Sequence, residues 1–204
     1  MTKNYEKTVD ELNEYNAENK LFVGIDVLKN EDVFFDLNNV DNIMLSGVAG
    51  TGKTILLKSL LYQLTNKQKT MNNLFIIEQH IADYMYFIDK GAQASSTYDV
   101  EEMNIDNVLE AAYANFKQGK PTIFVVEHFD TIQRYTKKDL KCMLTEMLDS
   151  ENAIVIAVNH RFSSLTKMFN TNFKLQKYPD YSEEIGTCLL DGKLIKPPYV
   201  RFKR

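Results

Sequence analysis

The 204-residue chain is 44% hydrophobic and 25% charged, an ordinary folded composition, and is long enough for one domain burying roughly 70% of its unfolded surface. A formal charge of −4 and a pI near 5.5 argue against a broad nucleic-acid-binding face. No apolar run approaches the roughly 20 residues that span a bilayer, and the polar start is not a signal peptide, so this stretch is expected to be soluble, whatever anchor a longer chain carries.

Residues 1–19 are polar and rich in Asn and Glu. They read as a linker or short N-terminal helix ahead of a single domain over 20–204. LFVGID (21–26) and DVFFDL (32–37), split by the polar turn LKNED, read as an opening hairpin. NIMLS (42–46) is an apolar strand feeding a Gly-rich turn, and Leu56, Leu57, Leu60, Leu61 and Leu64 mark the buried stripe of the helix that follows. LFIIEQ (74–79) is a second core strand, and 80–104 is ambiguous, with a loop around GAQASSTYD. Residues 105–117 form an amphipathic helix ended by Gly119 and Pro121. TIFVVE (122–127) and AIVIAV (153–158) are continuous apolar runs, as strands covered on both faces require. A helix over 137–149 lies between them; a helix near 163–169 and weaker strands at FKLQ, GTCLL and PYVRF follow. Strands alternating with helices predict an α/β fold: a mostly parallel central sheet with helices on both faces.

The segment GVAGTGKT, Gly47 to Thr54, fits the G-x-x-x-x-G-K-[ST] pattern between an apolar strand and a Leu-rich helix. Gly47, Gly50 and Gly52 allow the tight turn that aims backbone N–H groups, Thr51 among them, at phosphate oxygens. The helix start adds its positive dipole end. Lys53 is placed to neutralise the outer phosphates of ATP, and the Thr54 hydroxyl to ligate Mg²⁺.

Such sites need a second strand ending in an acid that holds the Mg²⁺ shell, commonly followed by a Glu that polarises the attacking water. Glu127, ending TIFVVE, is the candidate for that metal role, with Asp130 close by; its plainer reading is a residue that ends a strand. His128 stands where the water-polarising Glu is expected. Loss of a well-placed general base costs about 10²–10⁴ in rate, so the sequence favours a weak or inactive hydrolase over an active one using Glu127 or a neighbour's residue. Asn159, after AIVIAV, is placed to sense the γ-phosphate, and His160, Arg161 and Arg134 are candidates to face a neighbouring subunit. Capping of the next helix accounts for 159–161 equally well.

The remaining polar features read as ordinary. Lys193, Lys196, Arg201, Lys203 and Arg204 read as a solvated basic tail. Cys142 and Cys188 lack metal-ligand spacing and read as reduced thiols of a cytosolic compartment, and the three histidines are scattered. Pro197, Pro198 and Tyr199 read as a closing strand or tail in preference to a wall for the adenine base.

With these landmarks in place, residues 20–176 resemble the FtsK/SpoIIIE family of RecA-like P-loop motor ATPases. The resemblance is carried by VGID followed by VFFDL, NIMLSGVAGTGKT, LFIIE, the strand ending EHFD and AIVIAVNHR. EHFD departs from the family's Asp-Glu, and AIVIAVNHR stands where the family has an Ala-Thr-Gln-Arg-Pro-like stretch. Within that family the chain looks most like a distal, degenerate ATPase module of a type VII secretion translocase, of the EssC/EccC kind. That implies a cytoplasmic domain of a membrane-anchored protein, neighbouring ATPase modules in the same chain, a homo-hexamer at full length, and secreted proteins as substrates. Two other readings stay open: a DNA translocase of the same fold, which a basic tail alone supports, and a pseudo-ATPase docking platform, which His128 motivates.

Overall fold

The computed structural model describes residues 6–15, 20–36, 42–68, 71–96, 105–159, 167–176, 187–190 and 193–201. Its centre is set by apolar runs that bury both faces. β4 (Asn42–Ser46), β5 (Leu74–Glu78) and β7 (Thr122–Glu127) are buried at every position. With β6 (Gln93–Ser96), β8 (Ala153–Asn159) and β9 (Thr171–Gln176) they form the parallel part of the sheet, in the order β9-β4-β8-β7-β5-β6.

Side chains alternate across a strand, so each run feeds two cores. Ile43, Leu45, Leu74, Ile76, Ile123, Val125, Ile154 and Ile156 join one cluster with Leu56, Leu57, Leu60, Leu61 and Leu64 of α2 (Lys53–Gln68). Met44, Phe75, Ile77, Phe124, Val126, Val155 and Ala157 join the other. That second core is closed by α4 (Ile105–Lys117), α5 (Phe129–Tyr135) and α6 (Leu140–Leu148). The five leucines expected to face inward on α2 are all fully buried.

Beyond β9 the sheet turns antiparallel. β10 (Thr187–Leu190), β11 (Lys193–Lys196), β2 (Lys20–Asp26) and β3 (Glu31–Asp36) continue it, giving ten strands among the described residues. β2 and β3 are the expected opening hairpin, its turn tightened by the Asp26 carboxylate, which accepts the N–H groups of Leu28 and Lys29 at 2.9 and 3.0 Å.

Several elements differ from the sequence expectation. β6 lies where a loop was read, because Gln-Ala-Ser-Ser carries no apolar alternation; it is a strand by pairing with β5. The short α3 (Met85–Ile88) precedes it. α6 starts at Leu140, since the Asp139 carboxylate caps it by accepting the Cys142 N–H. Lys193–Lys196 make a strand with Lys196 buried, so this part of the basic cluster is not a solvated tail. Tyr199–Arg201 form β12, paired in parallel with β1 (Glu6–Thr8). In α1 (Val9–Tyr15) Leu12 is fully buried and Tyr15 stacks on Phe22, centroids 4.9 Å apart, so this stretch packs on the domain. The helix read near 163–169 falls mostly outside the described residues. No described helix is long and apolar enough to cross a membrane.

One buried polar side chain joins the two parts. Gln63 of α2 is fully buried; its Nε2 donates to Phe22 O at 2.9 Å and its Oε1 accepts Phe22 N–H at 2.8 Å. This is the two-bond exchange a neighbouring strand makes, supplied near the point where β11 ends at Pro197 and Pro198, which have no N–H to give. Gln63→Leu fills the same space and strands both groups. A loss of roughly 2–4 kcal/mol in urea unfolding is expected, and a loss under about 0.5 kcal/mol would show that water replaces the amide.

Candidate functional site

The phosphate loop runs from the carboxyl end of β4 into α2. Gly50 and Gly52 hold φ of 77° and 88°, backbone that side chains rarely adopt. Gly47 meets a second demand: a Cβ there would sit 2.4 Å from Leu175 O on β9. The Thr51 hydroxyl, fully buried, donates to Val48 O at 2.8 Å and ties the loop to itself. Lys53, the first residue of α2, folds back under it; its Nζ donates to Gly47 O at 2.8 Å and Val48 O at 3.1 Å. Only 6% of Lys53 is exposed. Burial pulls its pKa below the ordinary lysine value, and the opposite charge of Glu127 counters that pull.

β8 separates β4 from β7, and the carboxyl ends of these strands open onto one cleft of about 560 Å³. Its walls include Gly50, Gly52, Lys53 and Thr54 from the loop and α2, and Glu127 and His128 from β7 and its turn. Glu127 is 7% exposed. The sequence thus named the loop residues and the acidic strand end, and the fold brings them together. Thr54 and Glu127 supply hard oxygen donors, and few protein donors beside phosphates and water is how Mg²⁺ is usually held. The donor set fits that ion.

His128 leaves β7 in the left-handed region, φ 52° and ψ 54°. Its N–H still bonds Val158 O at 2.9 Å, and its carbonyl accepts Thr131 N–H at 2.8 Å, so the chain turns sharply into α5. Strand alternation alone would send residue 128 to the face opposite Glu127; after this turn both side chains line the cleft, His128 Nε2 lying 3.9 Å from Glu127 Oε1.

The other candidates are dispersed. Asn159 ends β8, paired with Ser46 beside the loop. His160 and Arg161 lie outside the described residues. Asp130 and Arg134 are exposed on α5 and are not among the cleft-lining residues.

The sequence reading missed the far wall. Glu78, at the carboxyl end of β5, lines the same cleft with Gln79, His80 and Asp83, and is 2% exposed. The His80 N–H donates to Glu78 Oε2 at 2.6 Å. Burial, joined by the charges of Glu78, Glu127 and Asp83, holds the nearby Tyr84 hydroxyl well above the ordinary tyrosine range. A signal was available: LFIIE and TIFVVE are both apolar runs closed by Glu.

The family model described as "ATPase family associated with various cellular activities (AAA)" matches residues 43–179, more than half of the chain. The chain belongs to the AAA family. Membership carries nucleotide binding with it. No curated protein sequence matches it significantly.

Solved structures show the same RecA-like P-loop architecture. ATPases 2 and 3 of EssC from Geobacillus thermodenitrificans align over 91% of the AAA chain at TM-score 0.65 and 16% identity. The cytoplasmic domain of the type VII secretion ATPase EccC from Thermomonospora curvata aligns over 92% at 0.63 and 13%. The pCW3 conjugation coupling protein TcpA, with ATPγS, aligns over 91% and covers 68% of that chain at 0.57 and 13%. The AAA chain spans 42% of the EssC structure and 27% of the EccC one.

Two outcomes follow from the site's electrostatics and backbone. In the absence of nucleotide the Lys53 pKa is lowered by burial, while bound polyphosphate favours the ammonium. Nucleotide binding should therefore take up protons in the alkaline window between the lowered pKa and that of the complex, and affinity should fall as pH rises through it. Calorimetry in buffers of different ionisation enthalpy reads this; buffer-independent heat at alkaline pH would contradict it. For His128, Asn should keep the unfolding midpoint near wild type, whereas Val should lose roughly 1–3 kcal/mol. Equal losses in denaturant titrations would show that the left-handed turn does not govern this position.

Proposed function

We propose that this AAA domain is the nucleotide-binding module of a type VII protein secretion translocase, holding Mg–ATP on Gly47 to Thr54 and turning over weakly by itself. The observation that carries the nucleotide reading is Lys53: a buried ammonium wrapped by the carbonyls of Gly47 and Val48 and facing the charge of Glu127. A polyphosphate offers that ammonium oxygens of opposite charge, which neutral carbonyls only approximate. Thr54 and Glu127 are the residues that would hold Mg²⁺, which when bound neutralises phosphate charge.

The secretion reading is supported by the motif order quoted above and by fold likeness to the EccC cytoplasmic domain and to EssC, whose structure holds ATPases 2 and 3. In that reading the module works beside neighbouring ATPase modules of a longer membrane-anchored, hexameric chain, its nucleotide state coupled to recognition of secreted proteins. The net charge of −4 weighs against a DNA pump.

Titration of ATP into the purified chain, with and without Mg²⁺, tests the core of the proposal. Micromolar, Mg²⁺-dependent binding is expected, with Lys53→Ala weakening it by about 10–100-fold, the worth of charge-assisted hydrogen bonds to phosphate. Unchanged affinity in Lys53→Ala would overturn the phosphate site. Retention of secretion substrates, and not duplex DNA at low salt, is the second expected result; the reverse would transfer the module to DNA transport.

A further inference from the structure

We propose that Glu78 is the catalytic carboxylate that accepts the proton of the attacking water, the role His128 leaves open at the end of β7. The assignment deepens the nucleotide-binding reading above and rests on it.

Three geometric facts carry it. β5 and β7 pair in parallel up to Ile77–Val126, so Glu78 and Glu127 stand side by side one step further on, with their strands about 4.8 Å apart. Alternation sets both on the α2 face, since Leu74 and Ile76, and likewise Ile123 and Val125, pack in the core that α2 closes. Both then line the cleft that holds Lys53 and Thr54.

Burial and bonding fit the role as well. A carboxylate 2% exposed at the end of an apolar strand is costly to bury unless it is paired or hydrogen-bonded, and Glu78 shares its cleft with Lys53. One oxygen is fixed by the His80 N–H at 2.6 Å, and the other has no hydrogen-bond partner among the described residues. A held carboxylate with one open acceptor is what positions a water. In the strand order β4-β8-β7-β5, Glu127 ends the strand nearer the phosphate loop, which leaves Glu78 as the outer member of the pair.

The reaction balances on these groups. The water oxygen bonds the γ-phosphorus of ATP while the bond from that phosphorus to the bridging oxygen breaks. ADP leaves with the electron pair, and the water proton passes to Glu78 and then to the phosphate product.

Glu78→Gln is the decisive variant, because its amide oxygen still accepts the His80 N–H while the basic oxygen is lost. Three readouts are taken on the whole chain: Mg–ATP affinity by calorimetry, affinity for Mg–ADP with aluminium fluoride, and single-turnover conversion of bound ATP with protein in excess. Expected are Mg–ATP affinity within about threefold of wild type, single-turnover rate lower by about 10²–10⁴, and aluminium-fluoride complex weaker by at least about tenfold. Glu78→Asp, which withdraws the charge by one methylene, should fall between. A Glu78→Gln rate within about threefold of wild type, a Glu78→Asp rate equal to it, or wild type binding Mg–ATP without converting it would overturn the assignment and leave the nucleotide-binding reading standing. Failure of wild type to bind Mg–ATP would remove both.

Discussion

A strand buried on both faces has no place for charge except at its ends, and that constraint organises this molecule. β4, β5 and β7 are apolar along their lengths and finish in Ser46, Glu78 and Glu127. Because the strands run parallel, those ends share one edge of the sheet. The α2 helix, whose leucines need the same face as Ile43 and Leu45, brings its N-terminus to that edge. The cleft follows from how the core is built.

Within the cleft the charges answer one another. Lys53 loses hydration and is held by two loop carbonyls, with Glu127 offsetting part of the desolvation. The carboxylates of Glu78 and Glu127 end adjacent strands, an arrangement that a divalent cation relieves. His128 adds a backbone device to these side chains: a left-handed residue that stops β7, starts α5 and keeps its side chain at the cleft. A strained conformation of a residue other than Gly costs of order 1–3 kcal/mol, and here it lies among the groups that line the phosphate-loop cleft.

The long periodic segments were legible from the residues alone. NIMLS, TIFVVE, AIVIAV and the leucine stripe of α2 each carry a pattern that one kind of element satisfies; the three strands end within one residue of the reading, and the five leucines are all buried. Gln93–Ser96 and Lys193–Lys196 were not, because their strand character comes from neighbours in the sheet. The same holds for Gln63, a polar residue inside a leucine-rich helix whose meaning depends on Phe22, 41 positions away.

By itself the sequence determined the phosphate loop, the acidic strand end at Glu127 and the irregular His128 after it. These are local facts: Gly, Lys and Thr at fixed spacing can be read without knowing what faces them. Only the tertiary structure decided that β5 lies beside β7, and so that Glu78 shares the cleft with Glu127. Strand order is a long-range choice, set by which helices cover which face, and no spacing along the chain encodes it.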